Sequence, residues 1–185
     1  MPLTQRIVIA GGPGSGKSTL LRALADRGEV CYEECSRPLI REQLVIAGSL
    51  VPWSDLPAFA QECSRRMRTQ LIDSARHPRC FFDRGLPDLI GYLTHGGCSV
   101  PDDWRELSRA YSATVFFAPA WREIFVHDDE RPQTFAEASQ LSTHIRRAYE
   151  DGGFRLVELV KSSVAERRRQ VLDCLDTRQR ELDHE

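Results

Sequence analysis

Arg6-Ile7-Val8-Ile9-Ala10-Gly11-Gly12-Pro13-Gly14-Ser15-Gly16-Lys17-Ser18-Thr19-Leu20 decides how the rest of the chain is read. An apolar run with the length of a buried strand enters a turn of the form G-x-x-x-x-G-K-[ST], and the residues that follow have the composition of a helix start. Such a turn binds phosphate. Glycines at positions 11, 14 and 16 let a wrapping backbone close on an anion, so that amides and the following helix N-terminus point at it. Nucleotide contacts are therefore expected from Gly11, Gly12, Pro13, Gly14, Ser15, Gly16, Lys17, Ser18 and Thr19. Lys17 is expected to reach the β- and γ-phosphates, and the Ser18 hydroxyl to ligate Mg²⁺. Only Lys17 and Lys161 are lysines, arginine carrying the remaining positive charge. A lysine inside the glycine turn is thus not what this composition supplies by default.

Around that stretch, 185 residues suffice for one self-supporting core. A net charge of −2 gives no global attraction to nucleic acid or acidic membranes. Six cysteines, at 31, 35, 63, 80, 98 and 174, show neither a C-x-x-C pair nor finger-spaced histidines. They read as reduced, mostly buried thiols of a cytoplasmic protein. No basic and apolar leader precedes the first strand, and no apolar run approaches the ~20 residues of a membrane span. The sequence leaves monomer and dimer open.

Further apolar runs follow at Val30 to Glu33, Arg79 to Phe82, Ala113 to Phe117 and Phe154 to Leu159. Between them lie helical patterns at Ser18 to Arg27 (with Leu20, Leu21, Leu24 and Ala25 facing the sheet), after Pro38, at Leu56 to Ser74, Asp88 to Thr94, Asp102 to Arg109, Phe135 to Tyr149 and Ser163 to Leu175. Short apolar strands alternating with helices predict an α/β fold, a five-stranded parallel sheet covered on both faces. Residues 1–176 read as a single domain and 177–185 as a polar tail. In this architecture ligands bind beyond the strand C-termini. Gly11, Glu33 or Glu34, Asp83, Pro119 and Lys161 then converge on one rim.

Asp83 ends its strand beside the phosphate turn, placed to hold Mg²⁺ or to take a proton from an attacking hydroxyl. Arg84 is positioned to pair with it or to contact a phosphoryl group. Glu34 and Arg37, three apart, are expected to share a face of a helix's first turn and to present a carboxylate and a guanidinium to a hydroxyl-bearing acceptor. Glu33 is the alternative carboxylate, and an ordinary cap with a local ion pair is the competing reading. Trp121 to Arg131 is too charged to bury, and is read as a lid over the nucleotide at 120–132 carrying Arg122 and Arg131, with a solvated helix as the alternative. His127 reads as a surface residue, and His77, His95 and His144 lack metal spacing. Lys161-Ser162-Ser163-Val164 is placed to hold the nucleotide base, with Val164 as its apolar contact. Arg167, Arg168 and Arg169 spread around a helix and read as solvated surface; with no continuous basic face and no interleaved aromatics, nucleic acid is not the expected partner. The acceptor pocket is expected between Leu50 and Cys98, with Trp53, Arg65, Tyr92 and Trp104 as candidates.

Taken together, Gly11 to Thr19, Glu34-Cys35-Ser36-Arg37, Phe81-Phe82-Asp83-Arg84-Gly85, Trp121-Arg122-Glu123-Ile124-Phe125 with Asp128 and Arg131, and Tyr149, Val157-Glu158-Leu159, Val164 and Arg167 resemble the small P-loop proteins called AAA-type predicted ATPases. Their nearest characterised relatives look like the nicotinamide ribonucleoside kinase domain of the NAD-biosynthesis regulator. The resemblance implies a P-loop NTPase fold of the nucleoside- and nucleotide-kinase type. Lys17 and Ser18 become the phosphate and magnesium residues, Asp83 the magnesium or base carboxylate, Glu34 and Arg37 acceptor residues, and Arg122 and Arg131 lid residues. The chain lacks the extended acidic strand ending in Asp-Glu and the helical lid domain of a ring-forming AAA machine. It also has Tyr32 where the family commonly carries proline before the glutamate. The expected activity is Mg²⁺-dependent transfer of the γ-phosphoryl group of ATP, with GTP the alternative donor, to a small hydroxyl-bearing acceptor such as a nucleoside. The competing expectation is an NTP hydrolase or nucleotide-gated switch acting on a protein partner.

Overall fold

The computed structural model describes residues 4–126 and 133–182, with side chains through residue 177. Its strands are β1 (Gln5–Gly11), β2 (Val30–Tyr32), β3 (Arg79–Asp83), β4 (Thr114–Ala118) and β5 (Arg155–Glu158). They form one parallel sheet in the order β2-β3-β1-β4-β5. The helices are α1 (Lys17–Ala25), α2 (Ser36–Val45), α3 (Leu56–Ser74), α4 (Leu86–His95), α5 (Trp104–Leu107), α6 (Phe135–Asp151) and α7 (Val164–Leu182), with 3-10 turns at Ser108–Ala110 and Arg122–Ile124.

Alternation along the central strand explains the two layers. Ile7 and Ile9 face α1 and α7, packing with Leu20, Leu21, Leu24, Phe81, Phe116 and Val171. Val8 and Ala10 face the opposite layer, with Phe82, Phe117 and the apolar faces of α3, α4 and α6. Both faces of β1 are dry, which is why it reads as an unbroken apolar run rather than an alternating one. Growth of the sheet reverses at β1, which pairs Ile9 with Asp83 on one side and Gly11 with Ala118 on the other. The crevice at that switch point is where an open parallel sheet holds its ligand.

Helix ends follow local chemistry. The Asp55 carboxylate accepts from the Ala58 amide to start α3, and Thr134 and Glu137 form a reciprocal cap at the start of α6. Gly28, at φ 87°, stops the chain after α1. Gly91 lets α4 press against α6, since a Cβ there would sit 2.6 Å from the Ile145 Cα. Phe59, Cys63, Met67 and Leu71 are buried on α3 as their spacing predicts, while Gln70 reaches from the helix edge to donate to the Glu33 carbonyl at 2.9 Å.

Three expectations change. Ala25 is exposed, because α1 turns its last residue off the sheet. Glu33 lies outside β2, which ends at Tyr32. The closing helix runs past Leu175 to Leu182. All six cysteines are free thiols, three of them buried. No helix among the described residues is long and apolar enough to cross a membrane.

Candidate active site

The turn after β1 hands directly into α1, and Lys17 is the helix's first residue. Its side chain is buried. Nζ donates to the Gly12 carbonyl at 2.7 Å and to Ser15 Oγ at 3.3 Å, while Ser15 Oγ donates to the same carbonyl at 2.9 Å. Burial, then repulsion from Arg84, lowers the Lys17 ammonium to about 8, against the opposing pull of Asp83, Glu34 and Asp88. A cavity of about 290 Å³ runs along Gly14 to Thr19 and is closed on its other sides by Glu34, Arg37, Arg84, Ile124 and Val126.

Pairing of β1 with β3 brings Asp83 to the Ser18 hydroxyl, which donates to Asp83 Oδ2 at 2.6 Å. The second oxygen, Oδ1, is buried with no hydrogen-bond partner among the described residues. Burial, then the nearby Glu34, raises the Asp83 carboxyl, partly offset by Lys17, Arg84 and the Ser18 hydrogen bond. A buried carboxylate oxygen without a donor, next to a hydroxyl oxygen, is a donor set that suits a hard divalent cation, so Ser18 and Asp83 fit Mg²⁺.

Glu34 is the carboxylate that faces inward, and Glu33 is exposed. Ser36 Oγ donates to Glu34 Oε1, and Arg84 Nε lies 3.0 Å from the same oxygen. Burial alone would raise this carboxyl; Arg84, Lys17, the Ser36 hydrogen bond and Arg37 outweigh it and hold Glu34 down at about 2. Glu34 precedes the α2 cap residue Cys35 rather than sharing a helical turn with Arg37. Both nonetheless line the same cavities.

Arg84 is the hub of this half. It holds a left-handed backbone, φ 79°, rare outside glycine, and its amide donates to the Ile9 carbonyl at 3.1 Å, one residue beyond the β3 ladder. Nη1 donates to the Gly11 carbonyl at 3.2 Å and lies 3.5 Å from Asp88 Oδ1, and the guanidinium stacks 5.5 Å from the Tyr92 ring centre. Its ion pairs are therefore with Glu34 and Asp88, where the sequence reading offered Asp83 or a phosphoryl group. Asp88 is completely buried and accepts from the Gly85 amide at 3.0 Å and the Tyr149 hydroxyl at 2.6 Å. The sequence reading missed Asp88 and Tyr149 as site residues. Asp88 stands where a helix-start carboxylate would, and Tyr149 sits sixty-one residues away on α6.

A second cavity opens beyond Glu34. Its walls are apolar, among them Ile40, Leu56, Phe59, Met67 and Leu89, and its polar edge is Glu34, Ser36, Arg37, Arg84, Tyr92 and Gln133. Trp53 and Tyr92 line it as expected. Trp104 instead is fully buried in the core, and Arg65 points outward from α3 to pair with Glu62 at 2.8 Å.

The lid expectation divides. Arg122 is exposed, its guanidinium 4.4 Å from the Phe135 ring centre, while the apolar Ile124 and Val126 approach the phosphate turn. Arg131, His127 and Asp128 lie outside the described residues. Val164 opens α7, half-buried, and is not among the residues lining the turn's cavity. Arg167 departs most from expectation: Arg169 is exposed and Arg168 half-buried, but Arg167 is buried and Nη1 donates to the Ser15 carbonyl at 3.3 Å. Helical spacing alone assigned all three to solvent, because it could not tell which of them the phosphate turn would cover.

The AAA domain family matches residues 6–167 of the chain. No curated protein matches it significantly. Among solved structures, the chain resembles deoxyadenosine kinase from M. mycoides with products bound, at TM-score 0.72 and 13% identity over 94% of this chain and 100% of that one. It also resembles thymidylate kinase from Ehrlichia chaffeensis, at TM-score 0.62 and 18% identity over 94% and 100%, and shikimate kinase from Acinetobacter baumannii in complex with shikimate, at 0.62 and 15% over 96% and 96%. At these identities the likeness concerns the fold, which is that of the P-loop kinases.

Proposed function

Because the chain belongs to the AAA domain family and has a P-loop kinase-like fold, we propose that it is a Mg²⁺-dependent phosphotransferase that moves the γ-phosphoryl group of ATP to a small hydroxyl-bearing acceptor. The observation that carries this reading is the Glu34–Arg84 ion pair at the junction of the turn's cavity and the apolar cavity. A hydrolase needs only room for water beside its phosphate turn. Here the turn's cavity and an apolar-walled cavity share Glu34, Arg37 and Arg84 as lining residues, which supports an acceptor site beside the phosphates.

On this reading the glycine turn and Lys17 hold the donor's phosphates. Ser18 and Asp83 would hold Mg²⁺, which when bound neutralises charge on the transferring group. Glu34, ionised at every physiological pH, accepts the hydrogen bond of the acceptor hydroxyl and aligns its oxygen. Arg84 keeps Glu34 in place, and Arg37 faces the acceptor's polar portion. The apolar wall excludes water from the reacting oxygen. Most of the catalysis is then alignment and electrostatics: the acceptor oxygen bonds phosphorus as the bond to ADP breaks, and the hydroxyl proton, made acidic by that bond, passes late through Glu34 to solvent.

Nucleosides are the acceptor class to try first, nicotinamide ribonucleoside among them, since an aromatic base suits a wall that includes Trp53, Phe59 and Tyr92. The same reading takes residues 1–176 as one domain whose lid spans 120–132 and carries Arg122 and Arg131, with ATP as donor and the cytoplasm as location. The test is incubation with Mg²⁺ and γ-labelled ATP across nucleosides and small metabolites, resolving labelled product from free phosphate. Label on a discrete compound, lost in Asp83→Asn, is expected. Free phosphate alone, with no acceptor labelled, would replace this reading by a hydrolase or nucleotide-gated switch.

A further inference from the structure

Arg84 and Arg167 are two guanidiniums buried to nearly the same degree, 5% and 4% exposed, one on the Gly11 carbonyl and the other on the Ser15 carbonyl of the phosphate turn. Arg84 has Glu34 and Asp88. Arg167 forms no ion pair among the described residues; it has one carbonyl, that of Ser15, an aromatic ring, Trp121, at 5.6 Å, and an Nε without any acceptor. A buried cation without a counter-charge is costly, none of the described residues supplies one here, and burial lowers the Arg167 pKa.

Its position is specific. A Cβ placed on Gly16 would fall 2.8 Å from Arg167 Nη1 and 3.0 Å from both Nη2 and the Ile124 Cδ1. The guanidinium therefore lies directly against the last peptide of the turn, where only glycine fits. In a planar trans peptide the carbonyl and the amide point in opposite directions. By taking the Ser15 carbonyl from outside, Arg167 fixes the Gly16 amide facing into the turn, toward the place where an anion binds. Trp121 caps the 3-10 turn Arg122–Ile124, so the same contact joins that turn to the phosphate turn.

We propose that Arg167 is a positioning residue of the donor-nucleotide site, stacked on Trp121, and that the phosphates of a nucleoside di- or triphosphate in the turn supply a counter-charge that none of the described residues provides. This rests on the nucleotide-binding reading above. It makes Trp121 a reporter of nucleotide occupancy and assigns α7 to the donor half of the site.

The probe is Mg·ADP, which needs no acceptor, followed by calorimetry, tryptophan emission and thermal unfolding on the full chain. Wild type is expected to bind with a change in emission, and Trp121→Phe to keep calorimetric binding while losing most of that change. Arg167→Met is expected to bind about tenfold more weakly, and Arg167→Lys, which keeps the charge, to recover most of the loss. Without nucleotide, Arg167→Met is expected to melt no lower than wild type, because the charge removed is buried and has no ion pair among the described residues. A lower melting point in Arg167→Met together with unchanged Mg·ADP affinity would make Arg167 a packing residue and overturn the proposal. An emission change that survives Trp121→Phe in full would overturn the reporter role. Failure of wild type to bind Mg·ADP is a different result, and removes the nucleotide reading itself.

Discussion

Lys17 and Ser18 are neighbours on the first turn of α1 and are aimed by the backbone that precedes them, whereas Glu34, Arg84, Asp88 and Tyr149 come from separate segments and are aimed by one another. The donor half is a local structure. Its geometry follows from glycines at fixed spacing and from a helix N-terminus, and it needs the rest of the protein mainly for burial. What is proposed as the acceptor half is a network in which each charge is held by the next, from Glu34 to Arg84 to Asp88 to the Tyr149 hydroxyl. Local structures survive single changes elsewhere, while networks transmit them. The difference should therefore appear as a separation of nucleotide affinity from turnover when the two halves are perturbed in turn.

The largest effect is expected from Glu34→Gln. Loss of the carboxylate proposed to align the acceptor hydroxyl should lower kcat about 10²-fold. It also leaves Arg84 with Asp88 alone, and breaking a buried pair from one side should cost about 3 kcal/mol in urea unfolding. Mg·ADP affinity should stay within about threefold of wild type, or rise, because a negative charge near the phosphates has gone. Equal losses in affinity and turnover would show that the two halves are not separable, and that the carboxylate belongs to the donor site.

The donor half should instead be recognisable by its pH dependence. The Lys17 ammonium, lowered to about 8, must carry its charge to hold a phosphate. Above that pH the free protein has lost the proton, so the Kd for Mg·ATP should rise by about tenfold per unit through pH 9. The effect on folding has the opposite sign. Because the folded value lies below the ordinary lysine value of 10.5, the unfolded chain binds more protons between the two, and the contribution of Lys17 to stability without nucleotide grows as pH rises from about 8 to 10.5. Lys17→Arg, charged throughout, should flatten both profiles. Calorimetry and urea unfolding at stepped pH check the pair of signs together.

The same division explains what could be read from the chain before its fold was known. The phosphate turn, the strand ends at Gly11 and Asp83 and the face of α3 are written in contiguous residues, and the sheet and the Ser18–Asp83 approach follow from them. The preference for Glu34 over Glu33 also came from local spacing to Arg37, although the partner that holds Glu34 proved to be Arg84, fifty residues on. Asp88 and Tyr149 carry no local mark, since a carboxylate at a helix start and a tyrosine on an apolar helix face are ordinary until Arg84 is known to lie between elements. Arg167 is the sharpest case. Three consecutive arginines on a helix point in three directions, and only the packing of α7 against α1 determines which of them is buried at Ser15.

The smallest predicted effect probes how far the acceptor network extends. Tyr149→Phe removes one hydroxyl and little volume, leaving Asp88 Oδ2 with the Gly85 amide as its remaining donor. Asp88 is already raised, by burial above all, and the Tyr149 hydrogen bond is among the contacts that lower it. Without that bond the carboxyl shifts further toward its neutral form and weakens its hold on Arg84. Unfolding should require less urea by an amount equivalent to about 1–2 kcal/mol. If the network runs through to Glu34, kcat should also fall several-fold, while Mg·ADP affinity and the Lys17 pH profile stay unchanged. A stability loss with full turnover would end the network at Asp88 and confine the acceptor machinery to Glu34 and Arg84.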